Sequence, residues 1–111
     1  MNTESCIFCA IGRHDIATQV IWEDKNYMVF CNHEPQMETH LLLIPKLHIQ
    51  DFVTADVHGQ RLIQGLLDIA HQITSQYHLK GCQLLINSGR DHGQEVLHLH
   101  LHLKSHTPIV V

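Results

Sequence analysis

The sequence predicts an α+β fold: a roughly five-stranded antiparallel sheet with one long helix and a short N-terminal helix. Two observations carry this. Short runs rich in β-branched, aromatic and leucine residues, joined by short polar connections, recur along the chain. Only the segment between residues 55 and 77 repeats its apolar residues at extended helical spacing. Strands joined by short connections pair antiparallel, and a helix set apart from them gives α+β rather than an alternating class.

Taken in order, Met1–Ser5 is a short polar lead-in. Cys6 to Ile11 makes a short helix closed by Gly12. Val20–Glu23 and Tyr27–Cys31 form a hairpin turned by Asp24-Lys25-Asn26, and Asn32 to Glu38 is a loop containing Pro35. Thr39 to Ile44 is the next strand, stopped by Pro45. Leu62, Ile63, Leu66, Leu67, Ile69, Ala70 and Ile73 share helical spacing, so Ala55 to Tyr77 holds the long helix, with His58, His71 and His78 read as solvated or helix-end residues. Gly81 ends the connection and Cys82 to Asn87 is a strand. Ser88 to Gln94 turns into a last strand, Val96 to Leu103.

That last strand alternates without exception. Leu97, Leu99, Leu101 and Leu103 would enter the core, and His98, His100 and His102 would line the other face. In a regular strand the outer two rings are about 13 Å apart, too far to share one metal ion, so the three histidines should divide their labour. Imidazoles in a row suit an anionic substrate near neutral pH, each able to act as nucleophile, acid, base or phosphate donor. Metal storage, a purification tag or plain surface composition is the competing reading, given 12 histidines in 111 residues. The interleaved leucines argue against a tag.

The length suits a single domain over residues 1–111, and 44% hydrophobic with 16% charged residues is ordinary globular composition. A formal net charge of −4 opposes a non-specific nucleic-acid binder. With no membrane-length apolar run and no basic-then-apolar leader, a cytoplasmic location is expected. Cys31 and Cys82 sit in apolar runs and read as buried, inert thiols, whereas Cys6 and Cys9 are spaced as a metal half-site. A thioredoxin-type redox pair would need a strand upstream, and there is no room for one.

Taken together, Cys6-x-x-Cys9, Ile44-Pro45-Lys46-x-His48, Asn87-x-Gly89, Gly93-Gln94 and His98-x-His100-x-His102 resemble the histidine triad (HIT) family across nearly the whole chain, closest to its small nucleotide-binding hydrolase branch. The resemblance implies a HIT-like homodimer. It also implies attack on the α-phosphate of a nucleoside phosphoramidate, acyl-nucleotide or dinucleotide, releasing a nucleoside monophosphate. By that resemblance His100 is the nucleophile, His102 donates to a phosphate oxygen, His98 opens the triad and His40 supports it from a neighbouring strand. Asn87 and the backbone around Gly93, Gln94 and Glu95 would contact phosphate, with Phe30 and Asn32 at the nucleoside end. It further implies a structural zinc ion held by Cys6, Cys9, His48 and His98, a closed set of four protein ligands. No organic cofactor is implied.

The chain departs from the family pattern in three places. Glu95 stands where a serine is usual, Asn32 replaces the ribose-binding aspartate, and Leu103-Lys104-Ser105-His106 replaces a glycine-rich tail. A carboxylate beside phosphate repels it unless protonated, turned away or paired. Two other readings therefore stand beside the enzyme: a non-catalytic nucleotide-binding regulatory module, and a histidine-rich metal handler. The expected homodimer would use the long helix and the edge strand Cys82–Asn87, because the helix carries apolar residues beyond one stripe.

Overall fold

A computed structural model describes residues 3–110 of the chain. Met1 and Asn2 of the expected lead-in lie outside the described residues, and Thr3–Ser5 forms one 3-10 turn. Helix α1 spans Ile7–Gly12, and Cys6 is its N-cap, its sulfur accepting from the Cys9 N–H. Strands β1 (Val20–Glu23) and β2 (Tyr27–Cys31) form the hairpin, with Asp24 Oδ1 taking the N–H groups of Asn26 and Tyr27 at 2.8 Å each. Strand β3 runs Thr39–Pro45, helix α2 Val57–Gln76, β4 Gln83–Leu85 and β5 Leu101–Ser105. The five strands are antiparallel in the order β1-β2-β3-β5-β4. The α+β expectation holds.

All seven residues of β3 are buried, because the central strand is covered on both faces. On one face, Val29, Leu41, Leu43, Leu99, Leu101 and Leu103 pack against Ile63, Leu66, Ile69, Ala70 and Ile73 of α2. Each such aliphatic side chain contributes about 2 kcal/mol by leaving water. Asp56 caps α2 through Gly59 N–H at 2.8 Å, which is why the helix starts two residues later than its apolar spacing suggests. Tyr27 Oη donates to the Leu62 carbonyl at 3.0 Å, and Gly65 gives its ring room against the helix. On the opposite face, α1 covers only part of the sheet, through Phe8 and Ile11 against Met28, Phe30, Leu42 and Ile44. The rest of that face carries the histidines, with His40, His98 and His100 buried.

Three expectations need correcting. The final strand does not begin at Val96: residues 96–98 bend, and the ladder starts at Leu101. The cause is a competing bond, Leu99 N–H to Ile49 O at 2.7 Å, which draws this stretch off the sheet. Leu97 is accordingly only half-buried, outside the core that Leu99, Leu101 and Leu103 join. The fourth strand is three residues rather than six, and all three are exposed. Cys82, just before this edge strand, is exposed, and Cys31 is half-buried, so the apolar runs around them did not imply deep burial. His58, His71 and His78 are exposed, as expected.

Candidate active site

Antiparallel register gathers the polar side chains on one face. Leu42 pairs with His102, His40 with Lys104, and Leu85 with His102 from the other side. Alternation then places His40, His102 and Lys104 together on the face that α1 leaves open. His100 approaches from just before β5, its ring centroid 4.9 Å from that of His102. Phe8 packs edge-on to both His98 and His100, at 5.9 and 5.1 Å between centroids.

The hydrogen bonds fix the ring tautomers. A carbonyl can only accept, so the 2.8 Å contact of His100 Nδ1 with His98 O places the proton on Nδ1 and leaves Nε2 with the lone pair. Gln36 N–H donates to His40 Nδ1 at 3.2 Å, so a neutral His40 carries its proton on Nε2. That proton points to His102 Nδ1, 2.9 Å away, which in turn leaves the His102 proton on Nε2. Asn32 Nδ2 lies 3.3 Å from His40 Nε2, while its Oδ1 accepts from Glu34 N–H. Burial lowers the pKa of all three rings, taking His102 to about 4, with the nearby His100, His40 and Lys104 charges adding to it. For His100 the bond to the His98 carbonyl and the Glu95 charge pull the other way, against burial. These rings are neutral at neutral pH.

His98 faces elsewhere. Its Nε2–H donates to Pro45 O at 2.7 Å, so Nδ1 bears the lone pair, 3.4 Å from Cys6 Sγ and 3.5 Å from Cys9 Sγ. His48 Nδ1 is 3.3 Å from Cys9 Sγ. The four ligand atoms lie within 4.8 Å of one another. A tetrahedron with bonds of about 2.0–2.3 Å has edges of roughly 3.3–3.8 Å, so the donor set fits a zinc ion in both chemistry and spacing. Burial, then the hydrogen bond and charge of Cys6, push the Cys9 thiol up to about 11. A divalent cation between the sulfurs would reverse that.

A cavity of about 460 Å³ opens over the histidines. Of the residues expected at the site, His100, His102, His40, Asn87, Gly93, Glu95, Asn32 and Phe30 line it. Gln94 and His98 do not. The Gln94 side chain is buried inside its own loop, where Oε1 accepts from Gly89 N–H and Nε2 donates to the Gln50 and Val96 carbonyls. Gly93 takes φ +92° beside the Asn87 amide, so the loop favours glycine there for its backbone conformation. The expected residues did not include Phe8 and Ile11, the apolar wall; Gln36, which sets the His40 tautomer; or Lys104. Lys104 was legible as the next residue in the His100, His102 alternation. Gln36 was not, because it acts through its backbone.

Known proteins are similar to this chain over nearly its whole length. A model of the HIT domain matches residues 13–108. The chain is 36% identical over 107 residues to Protein HitA of Neisseria gonorrhoeae, covering 96% of this chain and 99% of that one. It is 30% identical over 108 residues to the purine nucleoside phosphoramidase of Escherichia coli K12, covering 96% and 91%. Among solved structures, a HIT family hydrolase from Legionella pneumophila superposes with TM-score 0.88 at 35% identity, over 96% of each chain. A zinc-bound histidine triad family protein from Mycobacterium smegmatis gives 0.82 at 29% identity, over 96% of this chain and 78% of the other. A HIT domain match over most of the chain, with relatives 30–36% identical over nearly all of it, places the chain in the histidine triad (HIT) family.

Proposed function

We propose that the chain is a nucleotide hydrolase that attacks the α-phosphate of a nucleoside phosphoramidate, acyl-nucleotide or dinucleotide through a covalent nucleotidyl-histidine. The carrying observation is the His100 tautomer: the His98 carbonyl holds Nδ1–H, so the nucleophilic nitrogen of a neutral ring faces the cavity side. The His100 Nε2 lone pair forms the N–P bond as the bond to the leaving group breaks. The leaving group departs with that electron pair and takes a proton from solvent. Water then attacks phosphorus, the N–P bond returns its electrons to His100, and a nucleoside monophosphate is released. His102 Nε2–H donates to a phosphate oxygen throughout, held in that tautomer by His40 and Gln36. Asn87 supplies a further donor, the N–H groups of Gly93 and Gln94 being taken by the Arg90 and Gly89 carbonyls, while Phe8, Ile11 and Phe30 receive the nucleoside. The purine nucleoside in the name of the E. coli relative is consistent with an apolar wall of this kind.

Cys6, Cys9, His48 and His98 would hold zinc, which supplies structural cross-linking because all four positions are filled by protein. The chain's own part is to bring the N-terminal segment onto His98, whose carbonyl orients His100. A homodimer joining α2 and the β4 edge belongs to the same proposal, supported by the exposure of Leu67, Leu84 and Leu85. Light scattering at micromolar concentration should give twice the 12.7 kDa chain mass. The decisive experiment is rapid quenching with a fluorogenic adenosine phosphoramidate, followed by mass spectrometry. A nucleotidyl adduct on His100 is expected; hydrolysis by His100→Ala at the wild-type rate would overturn the mechanism.

A further inference from the structure

Lys104 is the one ammonium lining the histidine cavity among the described residues. It is half-buried between the buried Leu103 and Ser105, and its register partner on β3 is His40. Its ammonium makes no salt bridge among the described residues. It donates instead to Gln36 Oε1 at 2.6 Å. A neutral amide holds a cation in place without cancelling its charge.

Gln36 sits in the loop between β2 and β3, directly after Pro35, which has no N–H to give. Two bonds hold it among the described residues: its N–H donates to His40 Nδ1 at 3.2 Å, and its Oε1 accepts from Lys104. Gln36 is exposed, so water competes for the first bond unless the second keeps the residue in place. The first bond decides where the His40 proton sits. With Nδ1 engaged as acceptor, the proton is on Nε2 and goes to His102 Nδ1, so the His102 proton stays on Nε2. With Gln36 displaced, His40 is free to carry its proton on Nδ1. His40 Nε2 is then an acceptor, the His102 proton moves to Nδ1 to meet it, and His102 Nε2 has nothing to donate. Burial first, and the Lys104 charge after it, lower the pKa of His40 and keep that ring neutral, as the series requires.

We propose that Lys104 is a positioning residue of the hydrolase: by holding Gln36 it fixes the His40 tautomer, and so keeps the His102 proton on Nε2 for the phosphate. The consequence for rate rests on the hydrolase reading above, whereas the tautomers are a property of the free protein. No contact between Lys104 and substrate is required.

Nitrogen-edited NMR spectra of the histidine rings report which nitrogen carries the proton, without substrate. The wild-type chain at neutral pH should show Nε2–H forms of His40 and His102. Lys104→Met should draw the two nitrogen shifts of each ring toward their mean, as tautomers interchange. It should also lower kcat on an adenosine phosphoramidate by about tenfold with KM little changed, a smaller loss than removing the donor itself. Gln36→Ala, at an exposed loop position where folding is not at stake, should do the same, and the double variant should be no worse than either single one. Lys104→Arg keeps a charged donor and should restore most of the rate. His106→Ala cuts the loop's neighbouring bond, from His106 to Glu38 at 2.8 Å, without touching Gln36, and should leave both readouts unchanged. Unmoved ring nitrogens in Lys104→Met, or an equal change in His106→Ala, would overturn the proposal. So would losses that add in the double variant, which would put Lys104 on the substrate. If the wild-type chain turns over no phosphoramidate, the hydrolase reading fails and the ring spectra alone decide whether Lys104 sets the tautomers.

Discussion

His98 and His100 stand two residues apart on one stretch of backbone and use opposite nitrogens. In His98 a carbonyl, that of Pro45, holds Nε2–H and turns Nδ1 toward two sulfurs. In His100 a carbonyl, that of His98 itself, holds Nδ1–H and leaves Nε2 for the cavity. Around the first, donors converge on one point, as a metal requires. Around the second, donors and acceptors run in series from Gln36 through His40 to His102, as proton placement requires. The residue type is the same, and the backbone carbonyl each ring meets decides which nitrogen it presents. The two regions also touch: the carbonyl that orients His100 belongs to the ring held at the sulfur cluster.

The sharpest way to break the comparison is at His100. His100→Asn should lower single-turnover phosphoramidate hydrolysis by about 10⁴-fold or more, because the bond-forming nitrogen is gone. Circular dichroism should show the fold retained. A rate within tenfold of wild type would mean the two rings are not divided in this way.

The next effect falls on stability. Cys6→Ser, or strong chelation, should remove zinc and lower the melting temperature by about 10 °C, taking the loss as roughly 2 kcal/mol. The rate should fall far less than in His100→Asn, since the cluster reaches His100 only indirectly, through the His98 carbonyl and the Phe8 ring of α1. Elemental analysis finding no zinc in gently purified protein, with an unchanged melting temperature in Cys6→Ser, would reduce the cysteines to packing residues.

A smaller effect concerns pH. His102 titrates at about 4 in the fold, held there mainly by burial, against 6.5 ordinarily. Between those values the unfolded chain binds more protons than the folded one, so this contribution to stability is complete above pH 6.5 and is lost as pH falls toward 4. The ring is partly solvated, so the full shift overstates its worth; about 1 kcal/mol remains after discounting, or about 5 °C. His102→Gln should flatten the decline in melting temperature between pH 7 and pH 4.5. An identical decline in both proteins would assign the acid sensitivity elsewhere.

The smallest effect is on selectivity. Glu95 lines the histidine cavity and its charge favours the protonated form of His100. Glu95→Ser should raise dinucleotide relative to phosphoramidate hydrolysis by about threefold, by removing a charge that repels a second phosphate. An unchanged ratio would show the carboxylate turned away from the leaving group.

Much of this was legible in the sequence because period-two alternation and motif order both report backbone geometry. The hairpin, β3, α2 and the Cys6, Cys9 half-site follow from spacing, and His48 and His98 joined it through the motif resemblance. What escaped was decided by contacts distant in sequence. The ladder of β5 starts late because Ile49 captures Leu99 N–H, a bond that no local pattern announces. Cys82 is exposed because β4 is an edge strand, and an apolar run looks alike at an edge and at a centre. Gln94 carries a motif glutamine, yet its amide organises a loop instead of meeting the cavity.

The contact between Tyr27 and Gly65 bears on which sequences this fold accepts. Glycine inside a helix costs about 0.5–1 kcal/mol relative to alanine, so propensity alone marks position 65 for replacement. A methyl group there would occupy the space of the Tyr27 hydroxyl and crowd its ring carbons. In a saturation library, position 65 should therefore tolerate fewer residues than exposed sites on α2 such as Gln64 or Asp68. Its choice of residue is dictated by the sheet, across a gap that the helix by itself would have filled.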